Sequence, residues 1–474
     1  MWIEIMAAVA AAAAATAALA VGPRRPRTTV LLGVLAALPA LVAAASGPRA
    51  PAALVYAAAA GALVVVLLSR RRSPVLALVP VVVGGLALAP AVVLPPLELP
   101  APSSPQVSGA ASPVVGRLTY EWTDRSRDDP YLDGAPRRVL VDVWYPGTGG
   151  PQETSPYPGD AVAGALSSAL GAPAWLFGYL SQASTPVVAD AAVAPSADPY
   201  PVVLYSPGNG STRFQNMALV GALVADGYVV VGVDHPGTAA SLTFADGSTV
   251  VGSLAPPPAA GPEAGEDDII DVRAEDLSFV LNQVEALSTG DGPLAGRVDT
   301  GTVAVVGHSY GGATAVETAA RDDRVDVVVA LDGTLWGTAT FRDGISQPLL
   351  YVQATGTVAL MEPGARTDLD EEYFEHARDG LDQVFAEARS DATYVLVEGA
   401  NHYTFTDLAL LSPLARDGLS AEESAGVTED LVLTYLDQQL RGADVDVLQV
   451  AARRPGLDVR SNPESIFGDT GSGR

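Results

Sequence analysis

The sequence predicts a chain in two parts: an all-α bundle of about four transmembrane helices, followed by a larger α/β domain with a mostly parallel sheet flanked by helices. Two observations predict this division. Four nearly uncharged stretches fill the first 94 residues, and beyond residue 113 short β-rich runs alternate with helical patterns. We expect a transmembrane domain at 1–97, a Pro/Ser/Ala-rich linker at 98–113, the α/β domain at 114–442 and a partly disordered tail at 443–474.

The transmembrane prediction rests on segment length and hydropathy. The stretches 3–21, 28–45, 52–68 and 75–94 have about 17 to 20 residues each, close to the length that a helix needs to cross the hydrocarbon core. Several are mostly alanine, whose transfer into lipid is only marginally favourable, so three spans are an alternative to four. A cleaved signal peptide is an alternative for the first stretch, although "MWIEIM" contains Glu4 and no basic residue.

The arginines predict how the chain is oriented. Three arginines lie between the first and second stretches and three between the third and fourth, whereas the middle joint contains only Arg49. Because basic joints stay in the cytoplasm, we expect a multi-pass plasma-membrane protein with its N-terminus and its α/β domain on the extracytoplasmic side.

Charge and composition exclude several function classes. The chain has a net charge of −27, and residues 1–100 carry +5, so the remainder carries −32. A domain so acidic is not expected to bind nucleic acid through phosphate contacts. The absence of cysteine excludes disulfides, thiolate metal sites and a cysteine nucleophile. We expect no cofactor and no metal.

The elements of the α/β domain alternate along the chain. The strand candidates are, in order, "RRVLVDVWYP", "YPVVLYSPG", "GYVVVGVDHPG", "TVAVVGHS", "VDVVVALDG", "QPLLYVQATG" and "ATYVLVEGANH". The helix candidates between and after them are "NMALVGALVADG", "EDLSFVLNQVEAL", "GGATAVETAARDD", "LDEEYFEHARDGLDQVFAEA" and "EDLVLTYLDQQLRG". The middle strands are near-continuous apolar runs, which is typical of parallel strands covered by helices on both faces.

One turn carries a catalytic motif. "VAVVGHSYGGATAVETAA" joins a strand at 303–306 to a helix that starts near Ala313, through a G-x-S-x-G turn formed by Gly307, Ser309 and Gly311. A nucleophilic serine needs this context, because it sits on a strained strand-to-helix turn where only glycines avoid clashes with neighbouring backbone. The sequence therefore predicts Ser309 as a nucleophile, with a purely structural turn as the alternative.

Four histidines compete for the role of base. His308 adjoins the serine and is expected to pack beneath the turn, and His235 precedes the nucleophile, outside the chain order of serine, acid, histidine. His376 lies on an amphipathic helix, where a surface histidine needs no explanation. His402 lies in the loop "ANHYTF" after a strand, from which an imidazole can reach the sheet edge. We predict His402 as the base.

Asp332 is the predicted acid. It ends the strand "VVVALD", whereas the following strand, "LLYVQATGTVAL", brings no carboxylate to its end. The alternatives Glu362, Asp368 and Asp370 lie in a polar segment that leads into an amphipathic helix. A turn-forming aspartate before Gly333 is the structural alternative for Asp332.

These residues carry a family resemblance. The runs "VLYSPGNGSTRFQNMALVGALVADGYVVVGVDHPGTAAS", "GHSYGGATAVETAARDDRVDVVVALDGTLWG" and "GANHYTFTD" resemble the secreted platelet-activating-factor acetylhydrolases (plasma, isoform II type) and their bacterial relatives, calcium-independent serine esterases of the α/β-hydrolase superfamily. The resemblance implies Ser309 as nucleophile, Asp332 as acid and His402 as base. It also implies an oxyanion hole formed by the backbone N–H groups of Asn209 and Tyr310.

The chain departs from that family in two places. Pro207-Gly208 stands where the family usually has His-Gly, and the secreted enzymes have no multi-span membrane domain. We expect a membrane-anchored serine carboxylesterase for short or medium acyl esters, with phospholipids resembling platelet-activating factor or oxidised phospholipids as a candidate class. The alternatives are a polyester or cutinase-like hydrolase and a non-catalytic membrane sensor or scaffold on a hydrolase fold.

Overall fold

The computed structural model describes residues 114–467 apart from residues 133, 149–158, 171–176, 178–179, 181–184, 186, 254, 259–264, 362–370, 413–414 and 417. The predicted transmembrane domain (1–97) and linker (98–113) lie outside the described residues. Within the described part, none of the helices combines the length and the apolar character needed to cross a bilayer.

The described strands come in chain order. They are β1 (Val114–Asp128), β2 (Pro136–Thr148), β3 (Val187–Ala189), β4 (Ala192–Val193), β5 (Tyr200–Ser206), β6 (Val229–Asp234), β7 (Ser241–Thr243), β8 (Thr249–Val251), β9 (Val298–His308), β10 (Val327–Leu331), β11 (Leu349–Ala354), β12 (Ala392–Val397) and β13 (Leu457–Ser461).

The described helices separate most of these strands. They are α1 (Gly159–Leu170), α2 (Met217–Ala225), α3 (Glu266–Thr289), α4 (Tyr310–Arg321), α5 (Thr338–Asp343), α6 (Thr355–Leu360), α7 (Glu371–Glu387), α8 (Leu408–Leu411), α9 (Ala421–Arg441) and α10 (Val447–Arg453).

One mixed sheet organises these elements. Its order is β13-β12-β11-β10-β9-β5-β6-β2-β1-β3, with β4 paired to β2. The six strands from β12 to β6 are mutually parallel. β13 is antiparallel to β12, and β2 is antiparallel to β6 and β1, whereas β3 pairs in parallel with β1. The predicted α/β architecture is thus confirmed as a mixed sheet with flanking helices. The stretch predicted as a tail beyond Gly442 contributes α10 and the edge strand β13, so the sheet continues past that boundary.

Burial on both faces explains the apolar runs of the central strands. In β5, Val202 and Leu204 belong to one buried cluster with Leu277 of α3, while Val203 and Tyr205 are equally buried and are not part of it. Because successive side chains of a strand point to opposite faces, both faces of β5 are covered.

The ends of the parallel strands position the candidate site. β5 leads into the Pro207-Gly208 turn, β9 into Ser309 and β10 into Asp332, and the loop that follows β12 contains His402. Since parallel strands end at the same edge of a sheet, residues that are far apart in sequence meet there.

Candidate active site

Ser309 occupies a strained turn. It lies between β9 and α4 with φ 56° and ψ −126°, a conformation that costs a non-glycine residue on the order of 1 to 3 kcal/mol. A Cβ on Gly307 would lie 1.9 Å from the Gly311 carbonyl oxygen, and one on Gly311 would lie 1.9 Å from the Ser206 carbonyl oxygen. Both glycines of the motif are therefore required by space, and the turn holds the serine at the end of β9.

Asp332 and His402 meet at the same edge. His402 Nδ1 and Asp332 Oδ2 are 2.8 Å apart. The buried carboxylate also accepts the backbone N–H of Ala354 at 2.9 Å and the hydroxyl of Thr357 at 2.5 Å. With an ionised Asp332 as acceptor, Nδ1 carries the proton and Nε2 is left as a proton acceptor, as a general base requires.

The Asp332 turn packs directly against the serine. The Ser309 amide donates to the Leu331 carbonyl at 2.9 Å, and a Cβ on Gly333 would lie 2.2 Å from the Ser309 carbonyl oxygen. Among the hydrogen bonds of the described residues, none joins the Ser309 hydroxyl to His402. Catalytic hydrogen bonds of this kind are often long without substrate, and the His402 side chain, 37% exposed, has room to turn.

Two backbone N–H groups lie beside the serine as candidate oxyanion donors. A Cβ on Gly208 would lie 3.2 Å from Ser309 Cβ, so the loop after β5 covers the nucleophile closely. Within the described part of the chain, the N–H groups of Asn209 and Tyr310 donate to no other residue. These are the two donors that the resemblance implies for an oxyanion hole.

A buried glutamine and a buried histidine connect this loop to the loop of His402. Gln215 Oε1 accepts the Gly208 N–H at 2.8 Å, and Gln215 Nε2 lies 3.2 Å from His308 Nδ1. Burial, together with the nearby His402, holds the pKa of His308 well below its ordinary value, so the imidazole is neutral. Its Nε2–H donates to the His402 carbonyl at 2.7 Å. His308 is buried beneath the turn, as expected, but with Gln215 it also links the loop after β5 to the loop of His402. No sequence pattern indicated Gln215.

A second Ser–His–Asp arrangement lies nearby. His235 Nε2 is 3.0 Å from Ser206 Oγ, and His235 Nδ1 is 3.0 Å from Asp276 Oδ2. All three residues are at most 1% exposed. Burial and the charge of Arg273 lower the pKa of His235 to about 4. Chain order excludes His235 as the base, and its burial gives a physical reason for the exclusion.

The remaining candidates lie apart from the Asp332–His402 pair or outside the described residues. His376 stacks on Trp336 with ring centroids 3.7 Å apart and forms a hydrogen bond with the Leu335 carbonyl at 3.0 Å. It is thus held against a tryptophan rather than free on the helix surface. The alternative acids at 362, 368 and 370 lie outside the described residues.

Comparison with known families decides the relationship. The family described as platelet-activating factor acetylhydrolase, isoform II, matches residues 128–251 and 286–419, just over half of the chain. The chain belongs to this family. The matched ranges include Asn209, Ser309, Asp332 and His402, whereas residues 252–285, which contain most of α3, fall between them.

Individual relatives are similar over part of their length. A probable 1-alkyl-2-acetylglycerophosphocholine esterase from Arthroderma benhamiae is 29% identical over 276 residues, which cover 54% of this chain and 64% of the relative. The platelet-activating factor acetylhydrolase of Gallus gallus is 26% identical over 206 residues, or 37% of this chain and 49% of the relative. The chain thus spans about half to two thirds of the length of these curated relatives.

A solved structure extends the comparison to the fold. The ferulic acid esterase from Streptomyces cinnamoneus superposes with a TM-score of 0.61 at 27% identity, covering 77% of this chain and 99% of the esterase. The relatives and this structure are carboxylic ester hydrolases by name. At the level of the family, the prediction of a carboxylic ester hydrolase is confirmed.

Proposed function

We propose that the chain is a serine carboxylic ester hydrolase that uses Ser309, His402 and Asp332 through an acyl-enzyme. One observation carries the proposal: the 2.8 Å hydrogen bond between His402 Nδ1 and Asp332 Oδ2 lies at the sheet edge where Ser309 occupies its strained turn. Family membership and the names of the relatives support the same reaction class.

In the first half-reaction, the Ser309 hydroxyl attacks the ester carbonyl carbon while His402 Nε2 takes its proton. Asp332 keeps the imidazole in the required tautomer and stabilises the imidazolium that forms. The carbonyl oxygen, on which negative charge develops, accepts hydrogen bonds from the N–H groups of Asn209 and Tyr310. In such sites one donor contributes a factor of about 10² to 10³ in rate. Collapse of the tetrahedral intermediate passes the proton from His402 to the leaving alcohol.

In the second half-reaction, water replaces the alcohol. His402 accepts a proton from water as it attacks the acyl carbonyl, and returns a proton to Ser309 as the acid leaves. The same oxyanion donors serve both steps, so any change that misdirects them slows acylation and deacylation together.

The names of the relatives support a substrate class. We propose esters with short or medium acyl groups, including phospholipids with a short or oxidised acyl chain, because the relatives are named for 1-alkyl-2-acetylglycerophosphocholine and platelet-activating factor. Esters of aromatic acids are the second candidate, because the ferulic acid esterase aligns over nearly its whole length. Trp336 lies four residues after Asp332, and the Tyr373 hydroxyl is 3.1 Å from the Thr334 hydroxyl. The two rings have centroids 6.0 Å apart and add aromatic surface near the Asp332 turn.

We infer from the sequence that residues 1–97 anchor the enzyme in the plasma membrane, with residues 114–467 outside. The basis is the pattern of apolar stretches and arginine-rich joints. Protease added to intact cells should then remove the hydrolase domain from the full-length chain. Protection of that domain until the cells are lysed would contradict the orientation.

A substrate panel tests the proposed activity. The full-length chain, in detergent or vesicles, is assayed with p-nitrophenyl esters of increasing acyl length, a 1-alkyl-2-acetylglycerophosphocholine, its long-chain analogue, methyl ferulate and a polyester film, with Ser309→Ala as control. Turnover of the acetyl and short acyl esters that is lost in Ser309→Ala is expected. A folded wild-type protein with no turnover of any ester would favour a sensor or scaffold instead.

A further inference from the structure

Arg273 lies behind the loop that covers the nucleophile. It belongs to α3, and its side chain is 1% exposed. One guanidinium nitrogen donates to the Pro207 carbonyl and, at 3.1 Å, to the Ser206 hydroxyl. The other terminal nitrogen donates to the Thr238 hydroxyl at 3.3 Å. Every one of these partners is a neutral oxygen at the carboxyl end of β5 or in the loop after β6.

This cation differs from the other buried arginines of the described residues in having no carboxylate partner. Arg137 pairs with Asp276 at 2.6 Å, and Arg213 pairs with Asp142 at 2.7 Å. Arg273 makes no ion pair in the described part of the chain, and its Nε has no hydrogen-bond partner there. Burial lowers the pKa of Arg273 to about 10, which still leaves it charged at neutral pH. An unpaired buried charge is costly to keep, so its position calls for a reason.

The contacts of Arg273 fix the backbone on both sides of Asn209. The Pro207–Gly208 peptide is held at its carbonyl by Arg273 and at its N–H by Gln215. The Gly210 N–H donates at 2.8 Å to the carbonyl of Thr238, whose hydroxyl Arg273 also holds. The Asn209 N–H lies between these two fixed points and donates to none of the described residues.

We propose that Arg273 is a positioning residue of the oxyanion hole, whose guanidinium holds the Pro207 carbonyl and Thr238 so that the Asn209 N–H points at the carbonyl oxygen of the substrate. The inference rests on the proposed ester hydrolysis and deepens it. It assigns a role to a residue that lies outside the ranges matched to the family.

Physical chemistry indicates which step Arg273 affects. A loop that is free to move still binds substrate, but it hydrogen-bonds the developing oxyanion less well, so kcat falls while KM changes little. A lysine keeps the charge but presents its donors on one flexible ammonium, without the rigid fork by which two nitrogens of Arg273 reach Pro207 and Thr238. A glutamine loses the charge as well.

The test compares Arg273→Lys and Arg273→Gln with wild type for kcat, KM, thermal midpoint and inhibition by a trifluoromethyl ketone, whose hydrated or serine-bound form mimics the tetrahedral oxyanion. Arg441→Gln is the control. Arg441 binds Asp226 at 2.6 Å and the Gly227 carbonyl just before β6 begins, at the opposite edge of the sheet, so its loss reports destabilisation without contact to the loop.

We expect Arg273→Gln to lower kcat by about 10- to 100-fold with KM within about threefold, because the Asn209 N–H then hydrogen-bonds the oxyanion less well. Inhibition by the trifluoromethyl ketone should weaken by a similar factor. Arg273→Lys should lie between this variant and wild type. Arg441→Gln should lower the thermal midpoint and keep kcat at 20 °C.

Two results would overturn the inference while leaving the proposed function intact. One is a folded Arg273→Gln enzyme with kcat within twofold of wild type. The other is that Arg273→Gln and Arg441→Gln lose equal amounts of kcat and of thermal midpoint, while the trifluoromethyl ketone inhibits Arg273→Gln as well as wild type. If wild type itself hydrolyses no ester and reacts with no serine-directed probe, the proposed function fails, and the inference fails with it.

Discussion

Two Ser–His–Asp arrangements lie at the carboxyl edge of one sheet, and their difference indicates what separates the proposed catalytic triad from a buried set of hydrogen bonds. In both, an imidazole Nδ1 contacts an aspartate, at 2.8 Å for His402 and 3.0 Å for His235. The His402 side chain is 37% exposed, whereas His235 is 1% exposed. Ser309 has a positive φ, but Ser206 is an ordinary strand residue. Only the first serine combines strain, access and free donors.

The charges around the two aspartates differ as well. Burial acts to raise the pKa of Asp276, but the charge of Arg137 and the hydrogen bonds from His235 and Arg137 outweigh it and lower the pKa. Apart from His402, the donors that Asp332 accepts from are neutral: the Ala354 N–H and the Thr357 hydroxyl. Arginine already compensates the charge of Asp276, so a protonated His235 would be repelled by Arg137 and Arg273. The charge of Asp332 remains available to an imidazolium.

The largest expected effect separates the two serines. Ser309→Ala should lower kcat by about 10⁵ or more and abolish labelling by a fluorophosphonate, because the attacking atom is gone. Ser206→Ala should stay labelled and lose less than about tenfold in kcat, while losing about 1 to 3 kcal/mol of stability from the unsatisfied His235 and Arg273. Mass spectrometry of the labelled peptide checks both variants. Label on a peptide other than that of Ser309 would contradict the comparison.

The second contrast concerns the two aspartates. Asp332→Asn should lower kcat by about 10³ to 10⁴ with little change in KM, because the imidazole loses its tautomer preference and its counter-charge. Asp276→Asn should instead destabilise the fold by about 3 to 5 kcal/mol, because it leaves Arg137 with one carboxylate fewer in a buried site. Kinetics and urea unfolding on the same preparations check that Asp332→Asn mainly lowers kcat and that Asp276→Asn mainly lowers stability. A stable Asp332→Asn enzyme with near-normal kcat would remove the acid assignment.

Sequence reasoning reached the residues that lie at strand ends. The positions of Ser309, Asp332 and His402 follow from local rules. A serine between glycines marks the turn from a strand to a helix, and polar residues that follow parallel strands lie at one edge of the sheet. The role of Gln215 and the second arrangement around His235 could not be predicted, because each depends on contacts between side chains from different elements. The strand β13 was missed because its five residues, "LDVRS", are partly exposed on the sheet edge and lack an apolar run.

A smaller effect is expected from Gln215, which belongs to the first arrangement only. Gln215→Leu leaves the Gly208 N–H and one nitrogen of His308 without partners, so the loop over Ser309 should loosen. We expect about a tenfold loss of kcat with little change in KM. Gln347→Leu is a matched control, because Gln347 is also buried and donates to the Ala319 carbonyl at the far end of α4. An equal loss of kcat in both variants would show a general effect of stability.

The smallest effect on activity is expected at His235, where the comparison predicts a change in stability with pH. In the folded protein the pKa of His235 is about 4, against 6.5 for an ordinary histidine, because of burial and the charges of Arg273 and Arg137, partly offset by the hydrogen bond to Asp276. The unfolded chain therefore binds more protons between these values. Stability from a neutral His235 is complete above about pH 6.5 and falls as the pH drops towards 4.

His235→Gln should remove this dependence and keep kcat at pH 7 within about threefold. The loss of unfolding free energy between pH 7 and pH 4.5 should be smaller than in wild type by about 2 to 3 kcal/mol, measured by urea unfolding. Asp407 and Glu429 act in the opposite direction, because burial raises the pKa of each to about 7. For that reason the informative quantity is the difference between the two proteins, in which these carboxyl groups cancel. Parallel pH profiles would mean that His235 takes up protons equally in the folded and the unfolded chain, and the contrast with His402 would then rest on access alone.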